Sequence, residues 1–373
     1  MWVDQFAVRG GFGYTGSIDK NALPFVVMTL GQSVIYDGQT VPTSFSYPNP
    51  NVKWQTKQDM NVGLDLSLFD YRLELGVNYY NNITRDVLDR KALPYSSGRS
   101  EVTENVADIY NSGWEIDLGV TLLKNKSFQW YAKANIAIND NKVKNTYYKD
   151  TKDLPKATLS NAHQFVENQP VNGWYGYKFA GINPINGAVM TYTGNGEATL
   201  DMSVSGATWP IPSVFYLGNL TPPVVGGFST SANWKQLIFS ANFEFKTGHK
   251  IKSFNTFRSL DARNRHTSEA NRWREPGDIT NVPAMSEAFT TYSSYMYDIL
   301  LEKGNYLRCS YMTLGYNLKP EWLHKIGFST ARLSFTAKNL FTISSYSGID
   351  PALMGSFGYP NSRKYTITLN VGF

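Results

Sequence analysis

Cysteine is almost missing from this sequence. Cys309 is the one thiol among 373 residues, so no intramolecular disulfide can form and no disulfide framework shapes the fold. Long apolar runs are missing too: the longest largely apolar stretch, Leu23 to Leu30, falls far short of the ~20 residues a helix needs to cross a bilayer. Helical membrane spanning is thereby excluded. Charge is scarce, at 17% of residues against roughly 25% in soluble domains. The net charge of +5 comes without a dense run of Lys and Arg, which argues against a nucleic-acid partner.

Aromatic residues are plentiful, at 14% with 24 tyrosines. Low charge and many aromatics without an apolar helix fit a transmembrane β-barrel, whose strands alternate lipid-facing and lumen-facing side chains. The main signal is that alternation, because successive side chains of a strand point to opposite faces. Met60, Val62, Leu64, Leu66 and Leu68 alternate with Asn61, Gly63, Asp65 and Ser67. After Phe69-Asp70-Tyr71 the pattern resumes in Leu73, Leu75, Val77 and Tyr79. So short a connection predicts an antiparallel hairpin. A second hairpin joins Trp114–Leu122 to Phe128–Ile138, a third joins a strand near Val225–Trp234 to Leu237–Phe245, and a fourth joins Met312–Leu318 to Ala331–Ala337. With Phe6–Tyr14 in front and Tyr365, Ile367, Leu369, Val371 and Phe373 at the end, about ten up-and-down strands are expected.

The connections alternate between short turns and long polar stretches at residues 15–50, 143–213, 248–303 and 344–362. Outer-membrane barrels show this asymmetry, with short periplasmic turns and long extracellular loops, whereas loops beyond ~15 residues are uncommon in compact soluble domains. The last strand then runs toward the short-turn side, which places the C-terminus in the periplasm. Trp114, Phe69, Tyr71, Trp234 and Tyr365 near strand ends read as interfacial girdles.

Motifs for catalysis are weak. Gly11 to Gly16 matches G-x-G-x-x-G, but no helix or βαβ unit follows, so a strand end is the better account than a dinucleotide site. His163, His249, His266 and His324 are scattered away from one another and from Cys309, so no metal site is expected. No nucleophile grouping stands out, and neither enzymatic activity nor a cofactor is expected. Aromatics in the long loops, namely Trp174, Tyr175, Tyr177, Trp209 and Trp273, are candidate substrate contacts; packing within their own loops is the competing account. Arg258, Arg263, Arg265, Arg272 and Arg274 make a basic loop that reads as solvated or as anion-binding. The strand Tyr365, Ile367, Leu369, Val371 and Phe373 resembles the C-terminal signal that outer-membrane barrels present to their assembly machinery.

One family resemblance rests on an ordered series of short matches. Asn49-Pro50-Asn51-Val52-Lys53-Trp54 leads into Asn61-Val62-Gly63-Leu64-Asp65, then Asn78-Tyr79-Tyr80-Asn81 and Asn111-Ser112-Gly113-Trp114-Glu115. Leu314-Gly315-Tyr316, Lys338-Asn339-Leu340-Phe341-Thr342, Gly348-Ile349-Asp350-Pro351, and Tyr359-Pro360 with Arg363 follow. Together they resemble the C-terminal part of SusC/RagA-type TonB-dependent outer-membrane transporters. The resemblance implies residues 1–373 as part of a ~22-strand barrel, with signal peptide, plug and N-terminal strands absent from this stretch. It also implies import of oligosaccharides or peptides, a SusD-like surface lipoprotein, the TonB complex acting through the missing N-terminal region, and outer-membrane lipid around the wall. The N-terminus itself has no basic and apolar leader. Two other readings stay open: a small non-transporting, adhesin-like barrel, and a soluble β-rich carbohydrate-binding module.

Overall fold

The computed structural model describes residues 2–17, 27–36, 39–46, 49–93, 95–97, 101–151, 165–200, 214–252, 270–284, 297–323, 327–354 and 358–373. Its strands in chain order are β1 (Val3–Ser17), β2 (Val27–Tyr36), β3 (Gln39–Ser46), β4 (Gln55–Leu68), β5 (Leu73–Ala92), β6 (Glu101–Lys124) and β7 (Phe128–Lys144). Then come β8 (Gly173–Gly176), β9 (Phe179–Ile182), β10 (Val189–Tyr192), β11 (Ala198–Leu200), β12 (Phe215–Asn219), β13 (Val224–Trp234) and β14 (Leu237–Thr247). The last are β15 (Lys250–Lys252), β16 (Leu301–Lys303), β17 (Tyr306–Asn317), β18 (Thr330–Lys338), β19 (Thr342–Ser344) and β20 (Lys364–Gly372).

Ten strands form one antiparallel wall in the order β1-β4-β5-β6-β7-β13-β14-β17-β18-β20, and β19 takes over beside β17 where β18 ends. Wall order follows chain order, so each strand folds back beside its predecessor without a crossover, as the four hairpins predict. The glycine-rich Gly11–Gly16 stretch lies inside β1, which disposes of a nucleotide loop.

Register gives the wall two chemically distinct faces, because residues directly opposite in an antiparallel pair project to the same side. Val8 pairs with Leu64, Leu64 with Val77, Val77 with Ile116, and Ile116 with Ile136. Across the other half, Phe228 pairs with Phe243, Phe239 with Leu314, Leu314 with Phe335, and Phe335 with Ile367. Leu64, Leu75, Leu118, Phe239, Leu333 and Leu369 all lie on this face. Phe6, Val8, Leu118, Leu314, Leu333 and Ile367 are exposed there, far more contiguous apolar surface than a water-soluble wall tolerates.

Aromatics border the apolar band at both ends. Trp2 and Phe69 rings meet at the turn end, where Trp130, Trp234 and Phe373 also lie, while the tilted Tyr79 and Trp114 rings meet toward the loop end. Tyr365 and Phe373 sit at opposite ends of β20, whose 9 residues match the ~9–11 that cross a bilayer as a tilted strand.

The turns use specific chemistry. The carboxamide Oδ1 of Asn125 accepts from the backbone N of Ser127 (3.0 Å) and Phe128 (2.8 Å), closing the β6–β7 turn. Phe69, Asp70 and Tyr71 all adopt left-handed backbone, with φ of 59°, 56° and 58°. Such conformations are costly for bulky side chains, and the run is held by the Tyr71 N–H donating to Asp4 Oδ2 and the Phe69 N–H donating to the Trp2 carbonyl.

The wall is one side chain thick, so the buried core lies elsewhere. It forms in the long loops, where Val166, Tyr175, Tyr177, Ile182, Val189, Val214, Tyr297 and Leu300 make one apolar cluster and Trp174, Leu217 and Leu301 another. The stretches 143–213 and 248–303, expected as polar loops, therefore carry small sheets, β8 with β12, β9 to β11, and β15 with β16. Their strands of 3–5 residues are too short to register as alternation. β5 and β6, with 20 and 24 residues, also run well past the apolar band into the loop layer.

Within the described residues β1 and β20 are each paired on one side only, and the barrel is not closed. Replacing Leu369 by Arg puts a charge on the lipid side and is expected to cost roughly 2–4 kcal/mol, read as a lowered denaturant midpoint of the protein folded in bilayers. An unchanged midpoint would remove this face from lipid.

Candidate functional site

The second face of the wall is polar, and its side chains tie neighbouring strands together. Arg9 pairs with Asp65 (2.7 Å), Asn78 donates to Glu115 (3.2 Å), and the Tyr131 hydroxyl donates to Glu74 (3.4 Å). Farther along, Thr313 and Thr336 share a hydrogen bond of 2.9 Å, and Arg332 donates to Asn317 at 2.7 Å. Glycine makes room for two of the tyrosines. A Cβ on Gly113 would come within 2.5 Å of the Tyr80 hydroxyl, and one on Gly119 within 2.6 Å of the Tyr131 hydroxyl, so these side chains lie flat along the wall. A hollow of about 770 Å³ opens over β13, flanked by Glu115, Asp117 and Lys133 on one side and Glu244 and Lys246 on the other. Both charge signs meet there, and the surface suits polar, multiply hydrogen-bonding ligands.

The deepest ion pair on this face joins wall to loop. Arg308 on β17 faces the same side as Glu244, its register partner. Its guanidinium donates to Asp350 Oδ1 (2.5 Å) and to Thr342 Oγ1 (3.1 Å), stands 3.7 Å from Glu244, and lies over the Tyr306 ring. The Arg308 and Asp350 side chains are 5% and 6% exposed. Asp350 also caps the short 3-10 helix Pro351–Leu353 by accepting from the Ala352 N–H (2.9 Å), and receives the Asn361 N–H (3.4 Å). The Gly348-Ile349-Asp350-Pro351 motif thus folds the last long loop inward over the polar face.

The five aromatics singled out in the sequence have distinct placements. Trp174, Tyr175 and Tyr177 are buried in the loop layer. The Trp174 indole N–H donates to the Lys250 carbonyl (2.8 Å), while the Tyr175 ring meets Tyr216 and the Tyr177 ring meets Tyr297. They join the 165–223 segment to the 248–305 segment instead of standing open to solvent. Trp273 is half-buried against the same cluster, its indole N–H donating to the Pro184 carbonyl (3.1 Å). Trp209 lies outside the described residues, as do Arg258, Arg263 and Arg265. Arg274 donates to the Ala270 carbonyl within its own loop. Burial pushes the Tyr175 phenol upward, and that of Tyr216 to about 12, so both stay neutral.

His249 sits just past β14, where wall becomes loop. Of the other histidines, His163, His266 and His324 lie outside the described residues, and among those described no three metal-ligating side chains cluster. His249 is buried, its Nδ1 has no hydrogen-bond partner among the described residues, and its ring abuts Gly304, whose N–H donates to the His249 carbonyl. Burial, aided by the Lys246 charge, lowers its pKa.

Two expected outcomes follow from these contacts. Asp350→Ala strands a buried guanidinium and costs the inward loop about 3 kcal/mol or more, read as faster amide exchange across residues 342–363; unchanged exchange would deny the clamp. For His249 the folded pKa lies below the unfolded value of about 6.5, so the stability it permits is full above that pH and declines as pH falls below it. Amide protection at residues 247–251 and 301–305 is expected to weaken from pH 7 to pH 5, and to lose that dependence in His249→Phe.

Comparison with known proteins agrees with this architecture. A family model described as TonB dependent receptor-like, beta-barrel, matches residues 1–244. TonB-dependent receptor P3 of Formosa agariphila is 29% identical across 98% of this chain and 39% of its own length. TonB-dependent receptor SusC of Bacteroides thetaiotaomicron is 22% identical across 100% of this chain and 38% of its own. Among solved structures, the RagAB peptide importer in its "open-open" state superposes with a TM-score of 0.77 at 27% identity, covering 100% of this chain and 40% of that one. The chain therefore spans about two fifths of the length of the relatives it matches. By name these relatives are receptors and transporters, not enzymes.

Proposed function

The chain belongs to the TonB-dependent receptor β-barrel family, and we propose that it is the C-terminal part of the barrel of a SusC/RagA-type outer-membrane importer. The observation that carries this reading is the wall itself: one unbroken apolar face across ten strands, backed by a networked polar face. A soluble sandwich would bury the apolar face against a second sheet, and none stands opposite it among the described residues. The two open wall edges support a longer polypeptide that supplies the plug and the remaining strands, because unpaired strand edges are not tolerated in hydrocarbon.

In this reading the polar face lines the import path, the short turns and Phe373 are periplasmic, and the loop layer faces the medium. Phe373, at the turn end, stacks edge-on against Phe328, and its carbonyl accepts from the Ser329 hydroxyl. Tyr365, Ile367, Leu369, Val371 and Phe373 together form the assembly strand. The substrate is an oligosaccharide or peptide, a SusD-like lipoprotein covers the loop layer, and TonB acts through the plug. Trp174, Tyr175 and Tyr177 serve substrate by holding the loops in shape, while the half-buried Trp273 keeps ring area for direct contact.

Whole-cell uptake tests the proposal. With the complete gene present, labelled oligosaccharide or peptide should accumulate only when TonB and the proton-motive force are intact, and deletion of the gene should abolish it. Accumulation indifferent to TonB overturns the importer reading.

A further inference from the structure

Four strands of the loop layer meet at the end of one wall strand. The meeting place is the Gly248-His249 corner between β14 and β15, where Gly248 takes a φ of 86° against Pro223 and donates its N–H to Asn305 Oδ1 (2.9 Å). His249 forms an isolated bridge with Asn219 at the end of β12, and its carbonyl accepts from the Gly304 N–H between β16 and β17. One residue on, the Lys250 carbonyl receives the Trp174 indole N–H from β8 (2.8 Å), and the Lys250 side chain packs on Gly218 of β12. Trp174, Leu217 and Leu301 make one apolar cluster from β8, β12 and β16. Opening this corner therefore loosens β8, β12, β15 and β16 at once.

The imidazole fills the corner. It is 3% exposed and lies against Gly304, where a Cβ would come within 2.8 Å of Cε1, so glycine alone leaves room for the ring. A neutral imidazole has one N–H, whereas an imidazolium has one on each nitrogen, and Nδ1 finds no partner among the described residues. The strands around it offer a second proton no counter-charge. Lys246 of β14, Lys250 and Lys252 of β15, and Lys303 of β16, the register partner of Lys250, are all cations. Glu302 of β16 is turned to Ser347, accepting from its N–H (2.8 Å) and hydroxyl (2.6 Å), and Glu244 of β14 stands beside Arg308 of β17. Tyr306 of β17, Tyr175 of β8, and Tyr216 and Asn219 of β12 are neutral. We infer that His249 is a pH-sensitive latch of the loop layer, closed while its imidazole is neutral and released when mild acidity protonates it. Burial, with the Lys246 charge, holds the folded pKa below the ordinary ~6.5, so the latch is fully closed above that pH and yields as pH falls below it. That the acidity is that of the medium rests on the importer reading; the latch itself does not.

Hydrogen exchange of the complete protein in detergent, read by mass spectrometry as protection factors corrected for the intrinsic effect of pH, tests the latch between pH 7.5 and pH 4.5. Residues 173–176 and 215–219 are expected to lose protection in step with 247–251 and 301–305. At pH 5 the loss reaches up to about thirtyfold, the ratio open to an imidazole of solution pKa ~6.5 that takes its proton only when released. It sets in near pH 6.5 with the slope of a single proton, and wall residues 226–234 keep their protection. His249→Phe retains a flat ring on Gly304 and abolishes the pH dependence in all four segments; His249→Gln serves the same comparison if the phenylalanine variant does not fold. Constant protection of 173–176 and 215–219 while the corner itself responds overturns the latch, and so does an equal loss in the His249 variants. A loss that begins only below about pH 5 belongs to carboxylates and overturns it too. The importer reading is decided separately, by TonB-dependent uptake.

Discussion

Everything in this protein depends on strand register. Side chains alternate faces with a period of two, so a slip of one residue along any pair would carry that strand's leucines and phenylalanines to the polar side and its aspartates and lysines into lipid. Nine successive pairings keep the alternation in phase from β1 to β20. Where a pairing shifts, the shift lies toward the loop end between Thr84 and Val87 of β5 and between Asn242 and Phe243 of β14, and at the turn end between Val3 and Gln5 of β1 and between Thr121 and Leu123 of β6. At the turn end, the Asn125 amide and the left-handed Phe69-Asp70-Tyr71 run each fix how two strands meet.

This explains why the wall was legible in the sequence. Alternation is a local signal, and each hairpin places its partner within a few residues, so Leu64 facing Val77 follows from the connection length alone. The loop layer was not legible, because its core is assembled from distant residues. Tyr177 meets Tyr297 and Trp174 meets Lys250, and nothing periodic marks either. Trp174, Tyr175, Tyr177 and Trp273 lie in the loop layer, but a tyrosine aimed at a ligand and a tyrosine buried under another loop look alike in a sequence.

The polar anchors fall between these cases. Gly348-Ile349-Asp350-Pro351 stood out as a motif, yet its purpose became visible only when Asp350 met Arg308 from a strand about forty residues earlier. His249 carries no local signature at all. What distinguishes it is the state of one atom, a buried ring nitrogen without a hydrogen-bond partner among the described residues. Sequence reading recovers patterns that repeat, and these sites are single occurrences.

The placement of the core has a consequence for how such a protein can change over evolutionary time. Outward wall positions answer to fluid lipid, which conforms to any apolar shape, so leucine, valine and phenylalanine can replace one another there with little loss. Tyr175, Tyr297 and Val166 answer to fixed neighbours, where a change of volume leaves a void or a clash. The membrane-spanning wall is thus free to diverge in letters while conserving its rhythm, and the watery end of the molecule, usually the variable part of a protein, holds the residues least able to drift alone.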